Sequence, residues 1–180
     1  MFKFLSDQED NKFSWETLGN TEQAREYLGQ EMPVLVYRLF QYTLRDVLNK
    51  TYGPNTCVDI FRRAGEVAGV EFANNMLNLS LPFDKFMSNL QSVLREAKIG
   101  ILRIESVDTN KKEMVLSVAE DLDCSGLPVT GETVCNYDEG FIAGILKAYT
   151  GQKHVVIETD CWATGDRVCR FNAKVDDSSA

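Results

Sequence analysis

The sequence has few prolines, few basic residues and no long hydrophobic run, and each shortage excludes a class of protein. Four prolines among 180 residues, with 44% hydrophobic and 26% charged residues, exclude a disordered or fibrous chain. Lysine and arginine total 19 against 27 acidic residues, and the net charge of -8 disfavours binding to nucleic acid or to an anionic membrane surface. Apolar stretches such as residues 33–37 are far shorter than the roughly 20 residues that cross a bilayer, so we expect no membrane insertion.

Export signals and catalytic motifs are also missing. Residues 1–13 are acidic from Asp7 onward and contain no apolar core of a signal peptide, so we expect a cytoplasmic protein. The sequence has no GxSxG, Walker, GxGxxG or HExxH motif, and its one histidine, His154, has no predictable acid or nucleophile partner. We therefore expect no catalytic residues and a protein that is not an enzyme.

The length fits one domain, because no Pro/Gly/Ser-rich linker and no internal repeat divides the chain. We expect an N-terminal extension over residues 1–30, a single domain over residues 31–175 and a disordered tail over residues 176–180.

Hydrophobic spacing predicts four helices and two hairpins, in the order helices, hairpin, helix, hairpin. The predicted helices span residues 33–50, 56–76, 82–97 and 134–149. This order predicts an α+β domain in which a mostly antiparallel sheet of about four strands is packed with helices. The first helix is apolar on most of its circumference, which indicates a central helix or a dimer helix. Thr56 and Asp59 resemble a capping box for the second helix, and paired glycines in the second and fourth helices predict a close helix crossing.

Three of the five cysteines and one glutamate are concentrated in the last 46 residues: Cys135, Glu158, Cys161 and Cys169. Three thiolates and one carboxylate suit a four-coordinate, structural Zn²⁺ site. Cys135 falls at a helix start and the others at a hairpin tip, and helix and strand have matching lengths, so the two can meet. Glu158 and Cys161 are three residues apart, so the strand has to bend if both are ligands.

Other interpretations of the cysteines stay open. The cluster residues are alternatively buried thiols without a ligand, or Cys161 and Cys169 form a cross-strand disulfide or redox pair. Cys124 is a further or substitute ligand, although a partly buried loop thiol is the simpler interpretation. Cys57 is expected to be inert core.

The pattern C-x-Y-x2-G-F-x2-G from Cys135, followed by E-x2-C-x3-G-x3-C-x-F from Glu158, resembles the C-terminal signature of the 4-vinyl reductase domain family. That family includes stand-alone hydrocarbon-binding proteins, a bacteriochlorophyll-biosynthesis accessory protein and the sensor domains of phenol- and toluene-responsive activators. The resemblance implies that Cys135, Glu158, Cys161 and Cys169 bind zinc. It also implies a fold like that of transport-particle (TRAPP) subunits, a homodimer, and an internal pocket for a small aromatic or lipid-like ligand.

The function expected from the resemblance is that of a non-enzymatic small-molecule-binding domain, acting as a sensor or carrier. Phenol sensors place a ligand-binding histidine before the first hairpin, where this chain has none, so we expect a wholly apolar ligand or none. The predicted pocket residues are Phe83, Phe86, Met87, Leu90, Tyr137 and Phe141, with Arg63 as a polar anchor at the rim. Two alternatives are a tetrapyrrole vinyl reductase or its accessory protein, and a dimeric scaffold with a filled core.

Overall fold

The computed structural model describes residues 12–177, which fall into two compact units divided between Glu31 and Met32. The division lies one residue beyond the predicted boundary of the N-terminal extension. In the first unit a 3-10 helix (Trp15–Leu18) precedes a short helix, α1 (Thr21–Ala24), whose first turn is capped by the Asn20 side chain. The predicted export-signal-free start and most of the predicted tail lie outside the described residues.

The second unit contains four longer helices at the predicted places. They are α2 (Val34–Tyr52), α3 (Pro54–Met76), α4 (Phe83–Glu96) and α5 (Asn136–Thr150). The predicted capping box is wrong, because α3 begins at Pro54 and Thr56 already lies inside its first turn. Proline suits a first helical position, where its missing amide hydrogen costs nothing. Within residues 12–177, no helix is long and apolar enough to cross a bilayer.

Two antiparallel hairpins form one four-stranded sheet. Its strands are β1 (Ile101–Asp108), β2 (Glu113–Ala119), β3 (His154–Asp160) and β4 (Cys169–Val175), in the spatial order β1-β2-β4-β3. The predicted α+β fold with a mostly antiparallel sheet is confirmed. Pairing of β2 with β4 places Val118 opposite Cys169, so the chain leaving β2 arrives beside the tip of the second hairpin.

One face of the sheet is buried under helices. On β3, Val156 is buried, whereas its neighbours Val155 and Ile157 are largely exposed, which is the alternation of a sheet covered on one side. Helix α5 packs against β3, α4 against β1, α3 against α5, and α2 against α3. The largest fully buried side chains mark the core between the helices and the sheet: Phe86, Met87, Leu116, Leu146 and Phe171.

Helices α3 and α5 cross in backbone contact, as their paired glycines predict. A Cβ atom added to Gly140 would lie 1.9 Å from the carbonyl oxygen of Arg62, and one added to Gly65 would lie 2.0 Å from that of Tyr137. Gly69 and Gly144 are equally crowded. No side chain fits there, so the glycines fix the depth at which α5 sits between α3 and the sheet.

Helix α2 is not a central helix. Among its residues only Gln41 is buried, while Leu35, Leu39 and Phe40 are 76%, 64% and 67% exposed. The apolar circumference read from the sequence is therefore an outward face rather than a core face. Its role as a dimer helix stays a prediction.

Candidate metal centre and ligand cavities

Four cysteines meet where three segments of the chain come together. Cys124 lies in the turn after β2, Cys135 immediately precedes α5, Cys161 precedes the 3-10 helix Trp162–Thr164 and Cys169 begins β4. All four are buried, and none forms a disulfide. The sequence places three of these residues in the predicted site, and the structure adds Cys124.

The distances between the four sulfur atoms suit a metal ion. Every pair of Sγ atoms lies within 4.8 Å. Cys135 Sγ is 3.8 Å from Cys161 Sγ and 3.7 Å from Cys169 Sγ, while Cys124 Sγ is 3.0 Å from Cys169 Sγ. Four sulfurs around a tetrahedral Zn²⁺ at about 2.3 Å lie about 3.8 Å apart. The two Cys135 distances match that spacing, so the donor set fits zinc.

Glu158 lies beside the four-thiol group rather than in it. Its Oε2 accepts a hydrogen bond from the Cys135 amide at 3.0 Å, and burial raises the pKa of the Glu158 carboxyl to about 8. Its Oε1 is buried without a hydrogen-bond partner among residues 12–177. Such an orphaned acceptor costs roughly 1–3 kcal/mol, a penalty that a cation held by the adjacent thiolates would reduce.

A β-bulge supplies the bend that the sequence requires between Glu158 and Cys161. The register between β3 and β4 shifts between Glu158 and Asp160, where one extra residue enters β3. Without that residue, Cys161 would point to the exposed face of the sheet. With it, Glu158 and Cys161 both turn toward the cysteine cluster.

The turn that carries Cys124 is held by its own carboxylates and by Arg38 of α2. Asp121 Oδ1 accepts hydrogen bonds from the amides of Asp123 and Cys124 at 2.9 and 3.0 Å. Arg38 donates to the carbonyl oxygens of Leu122, Ser125 and Asp121 at 2.8, 2.8 and 3.3 Å. The loop position of Cys124 is therefore fixed from two sides.

Further polar residues of α2 reach both cysteine-bearing segments. Tyr37 and Gln41 donate to the Asp123 carboxylate at 2.8 and 2.5 Å. Arg45 donates to Val134 O at 2.8 Å and to Asn136 Oδ1 at 2.9 Å, on either side of Cys135. The inward face of α2 is thus a polar clamp on the metal centre.

Two buried acids stand between the cysteines and an apolar cavity. Asp121 and Asp138 lie within 4.8 Å of Cys135 Sγ and also line a cavity between α4, α5 and the sheet. Burial raises the pKa of Asp121 to about 6 and holds the pKa of Asp138 well above its usual range. The rest of the lining is apolar, and the cavity volume is about 30 Å³.

The predicted pocket residues are distributed over several places. Met87, Leu90 and Phe141 line the cavity beside Asp138, whereas Tyr137 lines a second cavity between α2 and α3 and Arg63 lines an outer cleft near β3. Phe86 stacks on Tyr149 at 3.8 Å between ring centroids, and Phe83 is partly exposed beside the same ring.

Two further predicted positions need no ligand to explain them. Cys57 is fully buried, with its Sγ 3.7 Å from Arg45 O, which agrees with an inert core thiol. His154 begins the edge strand β3, where its Nδ1 lies 2.9 Å from Gln152 O and burial lowers its pKa.

The residues of this site match a known domain. Residues 114–175, which include Cys124, Cys135, Cys161 and Cys169, match the family model of the 4-vinyl reductase (4VR) domain. The predicted family resemblance is confirmed. The uncharacterized protein MJ0150 of Methanocaldococcus jannaschii is 31% identical over 109 residues, which cover 61% of this chain and 62% of the relative. The match therefore spans less than two thirds of the relative's length.

Solved structures share the fold of this 4VR chain. A vinyl-4-reductase family protein from Methanocaldococcus jannaschii aligns with a TM-score of 0.58 and 18% identity, covering 87% of this chain and 88% of its own. The phenol-responsive sensory domain of the transcription activator PoxR, solved with phenol, gives 0.59 and 22%, covering 82% and 78%. A trafficking protein particle complex subunit 3 from Naegleria fowleri, covalently bound to palmitic acid, gives 0.63 and 11%, covering 80% and 95%. These similarities confirm the predicted likeness to transport-particle subunits.

Glu139 joins α3, α5 and β3 behind the metal centre of the 4VR domain, and its removal is expected to destabilise the domain. Its Oε2 accepts from Arg62 Nε at 2.6 Å, and its Oε1 accepts from the Glu158 amide at 2.9 Å. A Glu139→Ala variant leaves that buried amide unpaired, so we expect a loss of about 2 kcal/mol in urea unfolding. The matched control is Glu66→Ala, which removes the exposed Lys147–Glu66 pair and is expected to cost less than about 1 kcal/mol. Equal costs would contradict the proposed linking role of Glu139.

Proposed function

We propose that this chain is a metal-stabilised domain that binds a small, mainly apolar molecule and acts as a sensor or carrier rather than as an enzyme. One observation carries the proposal: the apolar cavity and the cysteine cluster share the first turns of α5. Cys135 precedes the helix, Asp138 touches both sites, and Phe141 lines the cavity. Ligand entry that moves α5 would therefore move a cysteine of the cluster.

The related folds support a ligand of this kind. The PoxR sensory domain was solved with phenol, and the trafficking subunit carries palmitic acid. Both molecules are largely apolar, as are the side chains that surround the cavity apart from Asp121 and Asp138. A one-ring or long-chain hydrocarbon is accordingly the ligand class to test first.

Within this proposal the metal is Zn²⁺, held by Cys124, Cys135, Cys161 and Cys169. Glu158 supports the site through its hydrogen bond to the Cys135 amide, as outer residues commonly orient metal ligands. Four protein ligands leave no open position, so the metal has a structural role and cross-links the β2 turn, the start of α5 and the second hairpin.

A dimeric scaffold with a filled core is the second candidate, and the size of the cavity favours it. A volume of about 30 Å³ holds little more than one or two water molecules, whereas a benzene site needs roughly 150 Å³. In the scaffold interpretation the apolar outer face of α2 mediates a homodimer. In the ligand-binding interpretation the cavity widens when α4 and α5 separate.

Thermal melting and hydrogen exchange with two probes, toluene and palmitic acid, distinguish the two candidates. If the domain binds either probe, saturation at about 100 times the Kd adds roughly 2.7 kcal/mol, which raises Tm by about 5–10 °C. Amide exchange in α5 is expected to slow at the same time. Ile142→Trp, which fills the cavity from a partly exposed position, is expected to remove both effects.

The opposite results have equally clear meanings. No change in Tm or in α5 exchange with either probe would refute the sensor or carrier function and leave the scaffold. Consumption of a reductant with a divinyl tetrapyrrole would refute the non-enzymatic assignment.

A further inference from the structure

A second cavity, larger than the one beside Asp138, lies between α2 and α3. Its volume is about 230 Å³, against about 30 Å³ for the cavity beside α4. Because an apolar cavity of roughly 150 Å³ accommodates benzene, this space holds a ring without any movement of the fold. Aromatic and aliphatic side chains form its walls, chiefly Tyr37, Phe40, Leu44, Ile60, Phe61 and Tyr137.

One polar atom in this cavity has no partner within the described part of the chain. Gln41 is only 5% exposed, and its Nε2 donates to the Asp123 carboxylate at 2.5 Å. A carboxylate accepts hydrogen bonds, so this contact assigns the two ends of the amide and leaves Oε1 on the other branch. Gln41 Oε1 is buried and has no hydrogen-bond partner among residues 12–177. Buried acceptors are almost always paired, which makes this one a sign of a missing donor.

The other groups of the cavity limit what the donor can be. Among the described residues, no charged side chain lines the cavity, so nothing there would compensate a charged ligand. The Tyr37 hydroxyl already donates to Asp123, and burial raises the pKa of Tyr37, which keeps it neutral. The acceptor that remains for a ligand in this cavity is Gln41 Oε1.

We propose that the space between α2 and α3 is a second small-molecule site, which takes a neutral one- or two-ring apolar molecule that donates one N–H or O–H hydrogen bond to Gln41. The site is separate from the cavity that carries the proposed function, and it does not depend on that function. Gln41 also holds Asp123, the neighbour of Cys124, so an occupant is one hydrogen bond away from the metal centre.

The test uses two probes of nearly equal shape, indole and benzothiophene, in which a sulfur atom replaces the N–H group. Calorimetric titration of the full chain is expected to show indole binding about fivefold more tightly, as one added hydrogen bond implies. A Gln41→Met variant keeps the apolar bulk and loses the acceptor, so the two probes are expected to bind it equally. Equal binding of both probes to the wild-type chain would overturn the proposal.

Two blocking variants locate the site. Ala64→Trp fills the cavity from an exposed position of α3 and is expected to abolish the binding of both probes. Ile142→Trp blocks the cavity beside α4 and is expected to leave both affinities unchanged. Loss of binding in Ile142→Trp alone would place the probes in the other cavity and overturn the proposal.

A second copy of the chain is the competing occupant, because Phe40 and Leu44 also belong to the exposed face of α2. Sedimentation velocity with and without indole separates the two. A wild-type dimer that binds neither probe, together with a monomeric Phe40→Asp variant, would assign the cavity to the dimer interface and overturn the proposal.

Discussion

Cys124→Ser is expected to lose the bound zinc that Glu158→Gln retains. The four sulfur atoms lie within 4.8 Å of one another, whereas the Glu158 carboxylate is engaged with the Cys135 amide. Structural zinc contributes on the order of 10 kcal/mol to folding, so losing one thiolate ligand is expected to lower the unfolding free energy by roughly 4 kcal/mol or more. Loss of an outer hydrogen bond weakens metal binding by about 10–100-fold, which leaves a tight site occupied.

Elemental mass spectrometry of both variants after gel filtration checks this expectation, with guanidinium unfolding as the stability measurement. About one zinc per chain is expected in the wild-type protein and in Glu158→Gln, and little in Cys124→Ser. The reverse pattern would make Glu158 the fourth ligand, as the spacing Cys135, Glu158, Cys161, Cys169 predicts. A folded wild-type protein without zinc, even when zinc is supplied, would refute the metal site.

The sequence predicts most of the metal centre because three of its four cysteines lie in regular positions. Cys135 precedes a helix, and Cys161 and Cys169 flank a hairpin turn, so local spacing alone brings them together. Cys124 lies in an irregular turn that has no periodic pattern. It reaches the cluster because β2 pairs with β4 and sets Val118 opposite Cys169, and that strand order is a tertiary property.

Hydrophobic periodicity locates helices but does not tell a core face from an outward face or a cavity wall. The stripe on α4 is mostly filled core, with Phe86 stacked on Tyr149 rather than lining a cavity. The apolar face of α2 resembles a core face in sequence, yet Leu35 and Leu39 are exposed. What separates these cases is the space left between packed elements, which sequence spacing does not encode. The Gln41 cavity was missed because a single polar residue in an apolar helix looks like an ordinary surface position.

Gly140→Ala is expected to be strongly destabilising, although alanine is the better helix former. The new Cβ would lie 1.9 Å from Arg62 O and 2.8 Å from Glu66 N, both backbone atoms that no side-chain rotation can move aside. Helices α3 and α5 would have to separate, and overpacking of this kind costs about 3 kcal/mol, well above the gain of about 1 kcal/mol from helix propensity. For a chain of this size we expect Tm to fall by at least about 5 °C.

Gly151→Ala is the matched control for that variant, since it alters the other end of the same helix. Gly151 has a φ of 72° and no atom within 4 Å of an added Cβ, so only a backbone cost of about 1 kcal/mol is expected. Because Cys135 lies at the start of α5, displacement of the helix by Gly140→Ala should also pull this thiol from the other three. Zinc release to a chelator should therefore be faster in Gly140→Ala and unchanged in Gly151→Ala. Similar stability and release in both variants would mean that α5 adjusts without moving Cys135.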